Sequence, residues 1–164
     1  SETSKTEGTA LVSLGYSLGG DKLVEIDGSY DLYAGSGGHL RLGYDQIYQN
    51  GSGYRIALGL QYNLIYDSGG NTTFSDVYLQ LAYQYRANQI VYGIGAVLHE
   101  GAKLEEDSTF EYDAANGLFV YLEDVGSSNL AGWGLSYTAL EIEEKDSSSS
   151  DDASRVEIYY NWRF

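Results

Sequence analysis

The sequence contains two histidines. A histidine beside a serine or a carboxylate is the usual centre of a hydrolase. His39 begins a segment of alternating residues, and His99 ends another one. Neither histidine is followed two positions later by a serine, and the sequence suggests only the pairings His39 with Asp31 and His99 with Glu100. We therefore interpret both histidines as surface or interior residues, and we expect no enzyme activity and no catalytic residue.

A second group of residues combines arginines with carboxylates on segments that alternate in the same way. The group consists of Arg41, Arg55, Asp45, Asp76, Arg155, Glu157 and Arg163. Such side chains either line an aqueous path or form ion pairs that fill it, and unpaired charges are costly inside a protein. We predict a paired polar network that plugs the interior, with Arg55 and Asp76 as the pair to test. Conduction of small solutes is the alternative.

Two acidic segments are a third candidate, residues 103–108 (KLEEDS) and 141–152 (EIEEKDSSSSDD). Clustered carboxylate oxygens bind Ca²⁺ or Mg²⁺ weakly, but the spacing of these acids matches no EF-hand loop. Polar, highly charged segments of this kind usually stay disordered. We predict disordered, solvated loops, and we assign no metal and no cofactor.

The composition limits the class of protein. The 164 residues suit one domain, residues 1–164, and they include no Pro, Cys or Met and carry a net charge of -15. The lack of cysteine excludes disulfides, thiolate metal sites and a cysteine nucleophile, and the lack of methionine is expected of a processed mature chain. The negative charge argues against nucleic acid, which binds basic surfaces. No segment approaches the roughly 20 apolar residues of a membrane helix, but strands that close a barrel also span membranes.

Apolar residues alternate with small or polar residues along most of the chain. In the segment 54–66 (YRIALGLQYNLIY), Tyr, Ile and Leu occupy every second position, and Arg, Ala, Gly, Gln and Asn lie between them. Rows of such large side chains do not fit inside a small closed barrel, whereas glycine and alanine do. The rows are therefore predicted to face lipid, with tyrosines where hydrocarbon meets water. A soluble barrel with the two faces reversed is the alternative.

Eight segments of this kind predict eight spanning strands. They lie at about 9–18, 38–48, 54–66, 74–85, 90–99, 112–123, 130–142 and 154–164. Long connections at 67–73, 100–109 and 143–154 alternate with short ones, and long loops lie outside the cell in bacterial barrels. This pattern predicts that the C-terminus lies at the periplasmic side.

The segment 21–34 does not fit an even number of spanning strands. Its Asp27-Gly28 pair is typical of a tight hairpin, so we predict a short extra hairpin beyond the first spanning strand. In the alternative arrangement, residues 22–34 form the first spanning strand and residues 1–18 lead into it.

The last strand ends in aromatic residues at alternating positions, Tyr160, Trp162 and Phe164. The chain resembles the small eight-stranded outer-membrane β-barrel proteins of Gram-negative bacteria, the class that includes OmpA-type, OmpX-type and OmpW-type barrels. The resemblance covers the whole chain as a pattern. The ending YYNWRF resembles the signal that such proteins present to the barrel-assembly machinery, and the resemblance therefore assigns an insertion signal to these three residues.

This resemblance implies an all-β protein, a closed antiparallel up-and-down transmembrane β-barrel in the bacterial outer membrane. The implied partners are outer-membrane lipid, lipopolysaccharide and the barrel-assembly machinery, with a protein partner at the extracellular loops and no nucleic acid. Some barrels of this class are lipid-modifying enzymes, but no functional residue carries over from them to this chain. We expect a non-enzymatic structural or interaction role through the extracellular loops. The alternatives are a small passive pore and a lipid-modifying outer-membrane enzyme.

Overall fold

The protein is built from β-strands in a computed structural model that describes residues 7–20, 22–26, 30–33, 35–67, 70–100, 103–105, 109–126, 131–143 and 150–164. The strands are β1 (Glu7–Leu18), β2 (Lys22–Ile26), β3 (Tyr30–Tyr33), β4 (Gly37–Ile47), β5 (Ser52–Asp67), β6 (Gly70–Ala87), β7 (Ile90–His99), β8 (Lys103–Glu105), β9 (Thr109–Glu111), β10 (Ala115–Asp124), β11 (Ala131–Ala139), β12 (Glu141–Glu143), β13 (Ser150–Asp152) and β14 (Arg155–Arg163). The part of the chain that the structure describes contains no α-helix of the length and hydropathy that a membrane crossing requires.

Eight of the strands close an antiparallel barrel in which each strand pairs with the next barrel strand along the chain. The ring runs β1, β4, β5, β6, β7, β10, β11 and β14, and β14 pairs back with β1. The predicted eight-stranded up-and-down barrel is therefore confirmed. Strands β2 and β3 form a separate two-stranded sheet, which confirms the extra hairpin. The alternative, a first spanning strand at 22–34, is wrong because β1 itself pairs with both β4 and β14.

The hydrogen-bonding register fixes the stagger of the barrel. A row of paired residues that starts at Tyr62 on β5 passes through Tyr16 on β1 and Leu122 on β10 and returns to β5 at Ser52. One circuit therefore shifts the register by ten residues, and eight strands with this stagger tilt by about 40° from the barrel axis. Paired residues share a face, so outward rows and inward rows stay separate around the whole barrel.

The outward rows carry the large apolar side chains. On β5 the outward residues each expose at least 38 % of their surface, and they are Tyr54, Ile56, Leu58, Leu60 and Tyr62. Between them, Arg55, Ala57 and Gln61 point inward and expose 5 % or less. All eight barrel strands carry exposed large apolar residues, and a band of this extent matches hydrocarbon rather than water. The soluble alternative with reversed faces is therefore wrong.

Exposed aromatic residues lie towards both ends of these rows. Tyr16, Tyr62 and Tyr137 lie towards one end, and the larger group lies towards the other: Tyr44, Tyr48, Tyr54, Tyr83, Tyr85, Tyr92, Trp133 and Trp162. Leucine, isoleucine and valine fill most outward positions between them. Tyrosine and tryptophan favour the boundary between hydrocarbon and water, so the two groups mark an apolar band with an interface at each end.

The two ends of the barrel differ in their connections. At one end, the short-turn end, lie the connections 48–51, 88–89 and 125–130, and here β1 begins and β14 ends. At the other, the long-loop end, lie the β2–β3, β8–β9 and β12–β13 hairpins and the continuation of β5 and β6. Part of the predicted loop 67–73 is therefore strand, because β5 and β6 stay paired as far as Asp67 and Gly70.

The acidic segments form hairpins where the structure describes them. Strand β8 pairs with β6 and β9, and β12 pairs with β13. Leu104 and Ile142 expose 5 % and 1 % of their surfaces, whereas Glu105 and Glu143 beside them are exposed. The expectation of disorder is wrong for these described residues, because one buried apolar residue between charged neighbours anchors each hairpin.

The hairpins join the barrel through one apolar cluster, called here the apolar cap. It consists of Phe74, Leu104, Tyr112, Leu140, Ile142 and Ala153, each of which exposes 5 % or less. The rings of Phe74 and Tyr112 meet edge to face, with centroids 6.4 Å apart. Phe74 belongs to β6 and Leu140 directly follows β11, so the cap connects the β8–β9 and β12–β13 hairpins to the barrel wall.

Candidate functional site in the barrel interior

Three tyrosines cross the interior, each opposite a glycine of the neighbouring strand. The pairs are Tyr78 with Gly59, Tyr121 with Gly93, and Tyr159 with Gly134. A Cβ atom added to these glycines would lie 2.3, 2.0 and 2.2 Å from a ring carbon of the paired tyrosine. Only glycine therefore lets each ring lie across the strand beside it.

An arginine guanidinium lies over each of these three rings. The Cζ atom of Arg155 is 5.1 Å from the centre of the Tyr78 ring, and those of Arg55 and Arg41 are each 4.8 Å from the Tyr121 and Tyr159 rings. Desolvated contacts between a cation and an aromatic face stabilise by about 2 kcal/mol. The interior is thus built on three repeated stacks of glycine, tyrosine and arginine.

Around Arg55 the charges are paired. Its Nε and Nη2 atoms donate to the two carboxylate oxygens of Asp45, at 2.5 and 2.8 Å. The same guanidinium donates to Glu123, to which Arg163 also donates at 3.0 Å. The hydroxyl of Tyr159 donates to Glu123 at 2.7 Å. This group lies towards the short-turn end, and its two arginines and two carboxylates balance in charge.

Arg41 and Glu157 form another buried ion pair. Nη1 of Arg41 lies 2.6 and 2.7 Å from the two carboxylate oxygens of Glu157, and it also donates to the hydroxyl of Tyr78 at 3.1 Å. A cavity of about 10 Å³ lies between Arg41 and Arg55, which is room for one water at most. The described side chains therefore fill most of the space between Arg41 and Arg55.

Arg155 has a different environment from the other interior arginines. Its Nη1 atom donates to Oε1 of Gln61 at 2.9 Å. None of the carboxylates in the described residues forms an ion pair with it. Its Nε and Nη2 atoms are buried and have no hydrogen-bond partner, and the same is true of Asp76 Oδ1 and His99 Nε2.

Asp76 pairs with His99 and not with Arg55. Nδ1 of His99 contacts Oδ2 of Asp76, and both side chains expose 3 % or less. The suggested pairing of Arg55 with Asp76 is therefore wrong, because Arg55 lies opposite Ala82, six positions along β6 from Asp76. The suggested pairing of His99 with Glu100 is also wrong, since Glu100 is exposed.

His39 belongs to a chain of hydrogen bonds whose direction can be assigned. Oγ of Ser17 lies 2.7 Å from the carbonyl oxygen of Gly35 and 2.7 Å from Nε2 of His39. A carbonyl oxygen only accepts, so Ser17 donates to it and accepts from Nε2. Nδ1 is then left to accept from the hydroxyl of Tyr78, at 2.8 Å. The suggested partner Asp31 has a side chain outside the described residues.

This direction is the reverse of the one that a serine hydrolase requires. A catalytic histidine accepts the serine proton, whereas the proton of Ser17 points at a backbone carbonyl. The described residues also hold no group of three His, Cys, Asp or Glu side chains placed for a metal ion.

The seven charged residues predicted from the sequence all lie in the interior, and each exposes 9 % or less. Arg41 joins Glu157, while Arg55 and Arg163 gather around Asp45. Arg155 and Asp76 remain outside these ion pairs. Glu123, which links Arg55 to Arg163, was not predicted from the sequence, and neither were the three interior tyrosines. The feature that could have indicated these tyrosines is a tyrosine at an inward position of its strand, opposite a glycine.

The terminal aromatic residues point outward. The ring of Tyr160 meets Trp133 and Trp162 edge to face, with centroids 4.9 and 4.7 Å apart. Phe164 exposes 76 % of its surface. These residues belong to the aromatic group at the short-turn end, and their use as an insertion signal stays a prediction.

Comparison with known proteins finds similarity at the level of fold. No protein-family model matches the sequence, and no curated protein does. One similar structure is that of Ail, the attachment invasion locus protein of Yersinia pestis, in complex with the heparin analogue sucrose octasulfate. The TM-score is 0.61 and the sequence identity is 13 %, over 98 % of this chain and 99 % of Ail. Neisserial surface protein A (NspA) is similar with a TM-score of 0.55 and 11 % identity, over 98 % of this chain and 99 % of NspA. The fold is that of small eight-stranded outer-membrane barrels, which confirms the predicted class.

Proposed function

We propose that this protein is a non-enzymatic barrel of the bacterial outer membrane whose long-loop end binds a positively charged protein partner outside the cell. The short turns and the C-terminus then lie on the periplasmic side. The outward apolar rows, the two aromatic groups and the likeness to Ail and NspA support the membrane location. In this proposal lipid and lipopolysaccharide surround the wall, and the barrel-assembly machinery binds the terminal strand with Tyr160, Trp162 and Phe164.

The distribution of charge is the observation that carries the proposal. Among the residues that the structure describes, the buried charged side chains are four arginines and four carboxylates, and their formal charges cancel: Arg41, Arg55, Arg155, Arg163, Asp45, Asp76, Glu123 and Glu157. The sequence segments that connect the barrel strands at the long-loop end, residues 19–36, 67–70, 100–114 and 140–154, contain seventeen acidic and three basic residues. These segments therefore hold a formal charge of -14 out of the total of -15.

Four of these acids lie on strands in the described residues and face water. Glu105, Glu111, Glu141 and Glu143 are exposed. The register places Glu141 directly opposite Asp152 on β13, and like charges opposite each other destabilise a sheet. A cationic partner relieves this repulsion, and complementary charge also speeds association.

The ligand found with Ail has the opposite charge to the proposed partner. Sucrose octasulfate is a polyanion, and it was solved in complex with Ail. An end with a formal charge of -14 repels such a ligand, so we propose that this chain has the opposite preference. The shared fold then carries a different binding surface, since function on a common fold depends on local chemistry.

Binding of a fluorescent deca-lysine peptide to the refolded protein in a non-ionic detergent tests this proposal. We expect binding that weakens with added salt and no binding of sucrose octasulfate. The combined change Glu105→Gln, Glu111→Gln, Glu141→Gln and Glu143→Gln should weaken binding about tenfold or more. A control that removes two acids at the short-turn end, Glu7→Gln with Asp124→Asn, should leave it unchanged. Equal weakening by the control, or a preference for sucrose octasulfate, would overturn the proposal.

A further inference from the structure

Arg55 and Arg155 place the same pair of donor atoms in different surroundings. On Arg55 the parallel Nε–H and Nη2–H groups, called here the fork, hold both oxygens of Asp45 at 2.5 and 2.8 Å. On Arg155 the same two atoms are buried and have no hydrogen-bond partner among the described residues. Both guanidinium groups lie over a tyrosine ring, Tyr121 for Arg55 and Tyr78 for Arg155.

Arg155 differs from the other three interior arginines in its partners. Arg41, Arg55 and Arg163 each form an ion pair with a carboxylate of the chain. Arg155 exposes only 2 % of its surface, and the groups that contact it, the amide of Gln61 and the ring of Tyr78, carry no formal charge. Burial of a guanidinium without a bonded anion is unfavourable.

The carboxylate of Asp76 is already engaged elsewhere. It contacts His99, and the ring of His99 stacks on Tyr78 with centroids 5.2 Å apart. Nε2 of His99 and Oδ1 of Asp76 have no hydrogen-bond partner, so polar atoms of three buried side chains remain free around the Tyr78 ring. Arg155 exposes only 2 % of its surface, which limits the ligand to a small one at the fork.

We propose that the fork of Arg155 binds the carboxylate group of a small molecule, in the bidentate geometry that Asp45 adopts on Arg55. The planar fork matches the two oxygens of a carboxylate, and this geometry is specific to arginine because a lysine offers only a point charge. This site goes beyond the proposed function, because it takes an anion inside the barrel and not a cationic partner outside it. A failure of the deca-lysine experiment therefore leaves this site untouched, and the reverse also holds.

Refolding in the presence of formate tests the site, because a buried fork is most accessible while the chain folds. The apparent midpoint of thermal unfolding is compared in sodium formate and in sodium chloride at equal ionic strength. We expect formate to raise the midpoint by about 2–4 °C once its concentration exceeds its dissociation constant about fivefold. The variants Arg155→Gln and Arg155→Lys should lose this difference. The control Arg86→Gln, at the short-turn end, should keep it.

An equal midpoint in both salts, or a formate effect that survives Arg155→Lys, overturns the proposal, because general salt effects and simple charge then explain the result. A second measurement on the unmodified protein covers the case in which the variants do not fold. The ¹⁵Nε–H resonance of Arg155 should shift on refolding with formate, while that of Arg55 should not. If both resonances stay in place, the fork does not bind a carboxylate.

Discussion

Tyr159 lies across Gly134 of the neighbouring strand. A Cβ atom added to this glycine would lie only 2.2 Å from a carbon of the tyrosine ring. The relationship repeats on two other strand pairs, and each ring in turn supports an arginine. The three glycines therefore leave the space for the tyrosine rings that support the interior arginines.

Substitution of Gly134 by alanine should destabilise the barrel by about 1–3 kcal/mol, because the added methyl group overpacks the site against the ring. The measurement is the urea midpoint of unfolding of the refolded protein. Gly38→Ala is the matched control, since the nearest atom to a Cβ there is 3.8 Å away. Similar losses for the two variants would show that the Tyr159 ring is not the cause.

Arg41 and Glu157 should show strong energetic coupling. Loss of one partner alone, as Arg41→Met or Glu157→Gln, should cost about 3–5 kcal/mol because it leaves a buried charge unpaired. Loss of both should cost much less than the sum of the two. A double-mutant cycle in urea measures this coupling, and the cycle Arg55→Met with Asp76→Asn, two residues without contact, should give about zero. Additive losses for Arg41 and Glu157 would contradict the ion pair.

The refolded barrel should not conduct ions in a planar bilayer. Side chains and ion pairs fill the described interior around Arg41 and Arg55, and the cavity between them holds about 10 Å³. Single-channel recording checks this expectation, with circular dichroism to show that the inserted protein is folded. Steady openings above the lipid background would favour the passive pore instead.

Ser17→Ala and His39→Gln should leave lipid A chemistry unchanged in cells that produce the protein. The proton of Ser17 points at the carbonyl of Gly35, so the serine is not activated for attack. Ser17→Ala should still reduce stability by about 1–3 kcal/mol, because it leaves Nε2 of His39 without an acceptor. Mass spectrometry of extracted lipid A, with cells that lack the protein as reference, decides the matter. A lipid product that depends on Ser17 would establish an enzyme.

The barrel could be predicted from the sequence because large apolar residues at every second position give each strand one apolar face and one small or polar face. On β5 the outward residues are Tyr54, Ile56, Leu58, Leu60 and Tyr62, and the inward residues include Arg55, Ala57 and Gln61, as the alternation predicts. The Asp27-Gly28 pair predicted the extra hairpin, whose strands β2 and β3 do pair, although these two residues lie outside the described part of the chain. The hairpins of the acidic segments were missed, because a single residue such as Leu104 or Ile142 is too little apolar signal to outweigh its charged neighbours.

The contacts of the interior could not be predicted from the sequence in the same way. They depend on which inward residues the register brings together, and a register shift of one residue exchanges the faces. His39 meets Ser17 only because β1 and β4 pair as they do. Glu123 lies on a segment whose register the sequence leaves ambiguous, and its three partners come from other strands.

The concentration of acidic residues at the long-loop end also affects how copies of the protein share a membrane. The barrel walls carry exposed apolar residues and attract or repel one another very little through charge. The long-loop ends, each with a formal charge of -14, repel within a Debye length of about 8 Å at physiological salt. We therefore expect the loops to set the lateral spacing between neighbouring molecules, and we expect high salt to reduce that spacing.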